Sequence, residues 1–473
     1  MRTTKIVLLA LMLVLSPGGL AQELGLSLPS APEPQRARVG QVLAYSFSID
    51  EQQGSPGPTA TQGKVAAAPQ TLTLKDAEAL AVKTNPQISV SRLMALASQQ
   101  VSREAKSSFW PTAVADITGV DAQENSRISA GGLNNPIIYE RAAGGVTVSQ
   151  LITDFGRTQN LVASANLSAM AEAENALATK QQILLAVNQA FFNALQTHAV
   201  LKVAEETVNA RQVVADQIGA LAKNKLKSDL DLSFANVNLA QAKLLLMDAQ
   251  NNHKAALANL SAVLGFPSQQ EFVLQDTTEA VAPPPADVDG LVTTAFGTRP
   301  ELLALDLQYQ STQKFKTAER DLMLPSLRAV GTVGGAPVRN DHLPSWYGAV
   351  GANLDIPIFN GFLYSARARE ADLRSQAARD RVVDLRNRIS RDVRTSWLSA
   401  NNAYERLGVT KQLLEQAQLA LELAQTRYKL GLSSIVELSQ AQLQATQAEI
   451  GNAQAGYDYR LAQAVLQFET SGL

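Results

Sequence analysis

GFLYSARAREADLRSQAARDRVVDLRNRISRDVRTSWLSANNAYERLGVTKQLLEQAQLALELAQTRYK, residues Gly361 to Lys429, holds no proline and reads as one helix of 69 residues. Its spine is Val393, Ala400, Leu407, Leu414, Leu421 and Tyr428, each seven positions from the last. A strict seven-residue repeat keeps one seam facing a neighbour along a left-handed supercoil, so the helix needs long partners. At about 1.5 Å per residue it extends roughly 100 Å, far beyond the usual helix of about 12 residues.

The chain supplies a twin. Gly156 to Lys223 is a second long proline-free stretch, with Met170, Leu177, Leu184 and Phe191 on one seven-spaced line and Val187, Ala194, Leu201 and Val208 on another. The likeness extends outward from the helices. Asn85-Pro86 opens a helical stretch that closes at Trp110-Pro111, and Arg299-Pro300 opens one that closes at Leu324-Pro325. Gln150 to Gly156 ends a strand-like run, as Asp355 to Gly361 does, at an offset of 205; Ser228 to Leu232 matches Ser434 to Leu438 at 206. Gly265 matches Gly472. Recurring landmarks in a fixed order mark a tandem duplication.

The implied organisation follows in chain order. Repeat 1 covers 71–265, with a β-hairpin at 112–155, a long helix at 156–223 and a return helix at 228–264. Its return carries a small-residue stripe at Ala235, Ala242, Ala249, Ala256 and Val263. A linker at 266–290 contains Pro283-Pro-Pro285, and repeat 2 covers 291–473, with a hairpin at 326–359, a long helix at 361–429 and a return at 434–468. The hairpins are rich in Val, Ile, Thr, Ala and Gly around polar loops, and their alternation is only moderately clean, as expected when one face meets lipid and the other a wet lumen. Thr73 and Asp76 read as the start of a short helix before the first intermediate helix.

Residues 1–21 have a basic start at Arg2 and Lys5, an apolar run from Ile6 to Leu15 and a small-residue exit at Ala21, which reads as a cleaved secretory signal peptide. Residues 22–70, rich in Pro, Ser, Ala, Gln and Gly, read as a flexible lead-in. With 46% apolar residues but only 5% aromatics, the composition is that of a coiled coil rather than a large-residue core. The net charge of −2 gives no footing for a nucleic-acid partner. The chain has no cysteine, which excludes disulfides, thiolate metal sites and a lipid-modified cysteine.

Catalytic chemistry finds no constellation here. There is no phosphate-cradling loop and no nucleophile elbow. His198, His253 and His342 are scattered over two helices and a loop, where solvated or packed bystanders are expected rather than metal ligands. A non-enzyme without cofactor is the expectation.

At this point the residues resemble those of the TolC-type outer-membrane efflux channels. The resemblance covers roughly Leu72 to Gly472. It rests on the duplicated helix, hairpin, long helix and return helix, on the elbows Asp154-Phe-Gly156 and Phe359-Asn-Gly361, and on the tip Tyr428 to Glu437. It implies a mainly α fold with a β-barrel: a homotrimer in which each chain gives four strands to a shared 12-stranded barrel and its helices to a long coiled-coil α-helical tube. It implies location in the outer membrane with a periplasmic extension, contact with outer-membrane lipid, and partnership with a periplasmic adaptor and an inner-membrane pump. No cofactor and no nucleic acid belong to that picture.

The resemblance also assigns residues. Trp110, Tyr139, Trp346 and Tyr347 lie near strand ends, where membrane-interface aromatics are enriched. The tips Lys223, Lys225 and Lys227, with Gly431, Leu432 and Ser433, would dock the adaptor, and Lys225 stands where relatives tend to have glycine. A periplasmic gate would link Tyr428 to Asp231, with Glu437 forming a ring of carboxylates. Ser433 stands where an arginine link is expected and Gln440 replaces a second acidic residue, leaving Arg427 or Lys429 to supply the cation and Asp229 to supplement Asp231. The hairpin loops would face the exterior. Two other classes compete: a periplasmic coiled-coil adaptor without a pore, which usually has one helical hairpin flanked by β domains, and an envelope hydrolase, which would need a catalytic domain the chain has no room for.

Overall fold

In the computed structural model the described residues are 70–121, 141–276, 282–338 and 344–470. The signal segment, the lead-in up to residue 69, Tyr139 with the tip of the first hairpin, His342 and Gly472 lie outside them.

Strand β1 (Gln70–Leu72) leads into α1 (Leu74–Thr84). Thr73 caps α1 reciprocally: its Oγ1 accepts from Asp76 N at 3.2 Å while its own N donates to Asp76 Oδ2 at 3.2 Å. Helix α2 (Pro86–Ser107) starts on a proline whose missing N–H would have been an orphan, and Asn85 Oδ1 accepts from Gln87 N at 2.8 Å. Strands β2 (Thr112–Val120) and β3 (Arg141–Thr153) follow, then α3 (Arg157–Lys223) and α4 (Asp229–Val263). Strand β4 (Phe272–Leu274) lies in the stretch read as linker and pairs in parallel with β1. The second copy gives α5 (Val288–Thr298), α6 (Pro300–Arg320), β5 (Ser326–Val338), β6 (Trp346–Asp355), α7 (Leu363–Lys429) and α8 (Ile435–Thr470). The second hairpin stops pairing at Asp355 rather than running to Phe359, because Pro357 has no N–H to offer a ladder.

Helices α3 and α7 each have 67 residues, about 100 Å of rod. Each folds back on its return helix, and α2 and α6 pack alongside nearer the strands. The buried surface is dominated by alanine: Ala235, Ala242, Ala249 and Ala256 on α4 are all buried, Ala256 in a core with Phe191, Leu260 and Leu264 and Ala235 in another with Ala215, Ala424 and Leu438. Small side chains let the backbones approach, so the seven-spaced lines bury Val393, Ala400 and Tyr428 while Leu407, Leu414 and Leu421 are half-buried.

The turn from strand into long helix is made by paired left-handed residues in both copies, Phe155 and Gly156 at φ 56 and 109, Gly361 and Phe362 at φ 62 and 66. Because Gly156 has no side chain to cap α3, Asp154 does so from outside: its Oδ2 accepts from Thr158 N at 2.8 Å and from Thr158 Oγ1 at 2.5 Å.

The four long strands form one antiparallel sheet in the order β2-β3-β5-β6. Partners opposite one another share a face, so the register sorts the side chains. Ala113, Ala115 and Ile117, then Val148 and Val146, then Gly331, Val333 and Ala329, then Val350, Ala352 and Leu354 all fall on one face. That face carries no charge, and Ile117 and Val350 on it are each 92% exposed. The opposite face holds Thr112, Asp116, Thr118, Thr147, Ser149, Thr332, Arg328, Asn353 and Asp355. Gln150 departs from the pattern at the helical end of β3, where its Nε2 donates to Phe109 O at 3.0 Å. Among the described residues the outer edges of β2 and β6 have no strand beside them. Among the described residues no helix is long and apolar enough to cross a membrane.

Candidate functional site

The free ends of the two helical hairpins are built to one plan. Helix α3 stops in a paired-bond ending: Lys225 N donates to Ala222 O at 2.9 Å and Leu226 N to Leu221 O at 2.9 Å, with Lys225 at φ 57. Helix α7 does the same through Gly431 N to Tyr428 O at 3.1 Å and Leu432 N to Arg427 O at 2.8 Å, with Gly431 at φ 74. This ending needs one left-handed residue, normally glycine. A serine then restarts each hairpin: Ser228 Oγ accepts from Asp231 N at 3.1 Å, and Ser434 Oγ accepts from Glu437 N at 3.3 Å.

Lys225 therefore occupies a conformation in which a Cβ costs about 1 kcal/mol. Lys225→Gly is expected to stabilise the α3–α4 turn by about that amount, seen as slower amide hydrogen exchange across Ala222 to Ser228. An unchanged exchange rate would mean that the lysine sits there unstrained.

The two tips meet in one apolar cluster of Ala215, Ile218, Ala235, Leu239, Ala424, Tyr428, Ile435 and Leu438, and Asn238 Nδ2 donates to Ser439 Oγ at 2.7 Å between α4 and α8. Tyr428 is 8% exposed at its centre. Burial, and then the nearby Asp231 carboxylate, push its phenol up from the usual tyrosine value. The sequence expectation joined Tyr428 to Asp231 by a hydrogen bond, and within one chain the structure does not. Asp231 Oδ2 instead accepts from Ser228 Oγ at 2.9 Å and from Ser228 N at 3.2 Å, while Tyr428 Oη is buried without a hydrogen-bond partner among the described residues. A first-turn carboxylate three residues after a serine closes that cap first.

Lys227 Nζ lies 3.9 Å from the centre of the Tyr428 ring, a cation over an aromatic face that ties the first tip to the second. Lys223, Lys225, Gly431 and Leu432 are exposed, whereas Ser433 is half-buried with its Oγ unpartnered among the described residues. Arg427 Nε stands 3.2 Å from Glu437 Oε1, so the cation beside Glu437 is Arg427, and Asp229 is exposed at the start of α4. Sequence reasoning passed over the apolar side chains here: Leu226, Leu230, Leu430 and Leu432 are all exposed by 65% or more. An open groove of about 530 Å³ runs up the first hairpin between Asp216, Lys223, Leu232 and Asn236.

At the other end of the molecule Trp110 and Trp346 are exposed, Trp346 on the apolar face of the sheet. Tyr347, its neighbour, points to the polar face as alternation requires. Its ring lies across two glycines: a Cβ on Gly145 would stand 2.3 Å from Tyr347 Oη, and one on Gly334 would stand 2.3 Å from its Cζ. Beneath the sheet, where strands turn into helices, a cavity of about 360 Å³ is lined by Asp154, Arg157, Asp321, Arg328, Asp355 and Tyr364, a charged cluster that sequence reading did not assemble.

Comparison with known proteins agrees with this architecture. The family described as "Outer membrane efflux protein" matches residues 64–266 and 291–470. The outer membrane efflux protein BepC of Brucella suis is 23% identical over 409 residues, 83% of this chain and 84% of that protein. The cation efflux system protein CusC of Escherichia coli is 24% identical over 323 residues, 63% of this chain and 65% of that one. The crystal structure of the Campylobacter jejuni CmeC outer membrane channel superposes with a TM-score of 0.74 at 16% identity, covering 91% of this chain and 94% of that one.

Proposed function

Since this chain belongs to the outer membrane efflux protein family, whose members are channels of the outer membrane rather than enzymes, we propose that it is the exit duct of a tripartite efflux or secretion system. Three copies close one 12-stranded barrel in the membrane, their helices continue as a tube through the periplasm, and an adaptor connects the tips to an inner-membrane pump. Conduction is passive.

The observation that carries this reading is the sheet. It has one uncharged face that is apolar but for Gln150 at its helical end, one polar face and, among the described residues, two open edges. Open edges cannot stand in hydrocarbon, where an unpaired backbone group costs several kcal/mol. Pairing the β2 edge of one copy with the β6 edge of the next removes every edge at once. Three copies then give a barrel wide enough for a lumen, apolar outside and lined by Thr, Asn, Asp and Arg.

At the far end the tips form the gate and the docking surface. Tyr428 closes the seam between hairpins, Asp231 and Asp229 crowd it with charge, and three copies of Glu437 gather carboxylates around the axis, favouring cations. The exposed Lys223, Lys225, Gly431 and Leu432 face the adaptor, and Lys227 holds Tyr428 in place. Signal removal, export of the mature chain and exterior-facing hairpin loops complete the topology.

Conductance in a planar bilayer tests both levels. The purified protein is expected to form small cation-preferring channels. Tyr428→Phe combined with Asp231→Ala is expected to raise single-channel conductance several-fold, and Glu437→Ala to lower cation preference. A double mutant that conducts like wild type removes the gate from these residues, and a protein that never conducts is an adaptor instead.

A further inference from the structure

His198 on α3 and His253 on α4 are 55 positions apart, yet the hairpin brings their ring centres to 5.2 Å with planes at 46°. We propose that the two imidazoles form a site for one divalent transition cation of the zinc, nickel or copper type, tying α3 to α4 roughly 40 Å from the tip.

The hydrogen bonds leave one ring nitrogen free for it. Thr197 Oγ1 donates its single proton to Ala194 O at 3.0 Å, so towards His253 Nδ1, 3.3 Å away, it can only accept. Nδ1 of His253 therefore carries the ring proton and Nε2 keeps its lone pair. A ligating histidine is held in this way, with its other nitrogen donating to a neighbouring oxygen that fixes tautomer and orientation. The spacing of the rings suits a shared ion: nitrogens about 2.1 Å from a tetrahedral cation put the two ring centres about 5 Å apart. Among the described residues no group of three or more His, Cys, Asp or Glu gathers to hold a metal, so water completes the coordination. His198 is exposed and gives the ion a way in.

Calorimetric titration of the untagged, detergent-solubilised protein with Zn²⁺ tests the site. One Zn²⁺ per chain is expected, with hydrogen exchange around Ala194 to Lys202 slowing on zinc addition. His198→Gln, at an exposed position that the fold tolerates, is expected to weaken zinc binding by more than about 100-fold. Thr197→Val, which removes only the orienting oxygen, is expected to weaken it by about tenfold. Zinc binding that is absent from wild type, or equal in wild type and His198→Gln, would assign the two rings to packing alone.

Discussion

Arginine in place of Val350 is expected to cost about 2–4 kcal/mol of barrel stability, while arginine in place of Ala349, one residue away, costs about 1 kcal/mol or less. Val350 pairs with Gly331 on the apolar face and is 92% exposed; Ala349 pairs with Thr332 on the face that carries Asp116, Arg328 and Asp355. In the proposed barrel, hydrocarbon must solvate the first guanidinium, whereas lumenal water solvates the second. Urea unfolding of the protein folded into lipid vesicles measures both. Equal costs would mean that the two faces of the sheet do not separate lipid from lumen.

Arg299→Leu is expected to destabilise the chain by about 3 kcal/mol, because it strands Glu469 beside a desolvated end of α8. Arg299 is 7% exposed; its Nη1 donates to Glu469 Oε2 at 2.6 Å and its Nη2 to Glu301 Oε2 at 3.1 Å. Burial pushes the Glu469 carboxyl up, Arg299 pulls it down, and Asp392 and Glu301 push it up further. A carboxyl raised in the folded state adds stability at low pH that is lost as pH climbs through the folded value. The leucine variant, without the opposing cation, should therefore regain part of its loss on acidification. Adding Glu469→Gln should recover most of the rest. A single variant that melts like wild type at neutral pH would show that the pair is surface decoration.

The same joint shows what the sequence could reveal and what it could not. Asn85-Pro86 and Arg299-Pro300 announce themselves as equivalents, and both sit against the end of a return helix: Thr84 Oγ1 donates to Leu264 O at 2.5 Å, and Thr298 Oγ1 to Thr470 O at 2.9 Å. Periodicity and proline spacing make such long elements legible because they repeat a physical requirement many times over. Strands β1 and β4 have three residues each and pair 202 positions apart, so no period could show them. The apolar row emerges only with register, since Val114 and Val330 on the polar face blur the alternation along any one strand. At the tip, Ser228 three before Asp231 was a readable cap signal, and it explains why that carboxylate is engaged locally. The histidine pair was also within reach. His198 lies 28 residues before Leu226 and His253 lies 27 after it, so a helical hairpin turning there must bring them level.

Two unlike turns ride on every chain, one with Lys225 and one with Gly431 in the left-handed position. In the proposed trimer the rim of the tube then presents six places for a partner, and they alternate in kind rather than repeating. A mutation at either turn alters every second place and leaves the intervening three untouched. A partner with a single mode of attachment would fill three places and ignore three; one that fills all six must accommodate both. Fusing the two hairpins in one polypeptide thus halves the symmetry of the rim and allows each kind of place to evolve toward its own task.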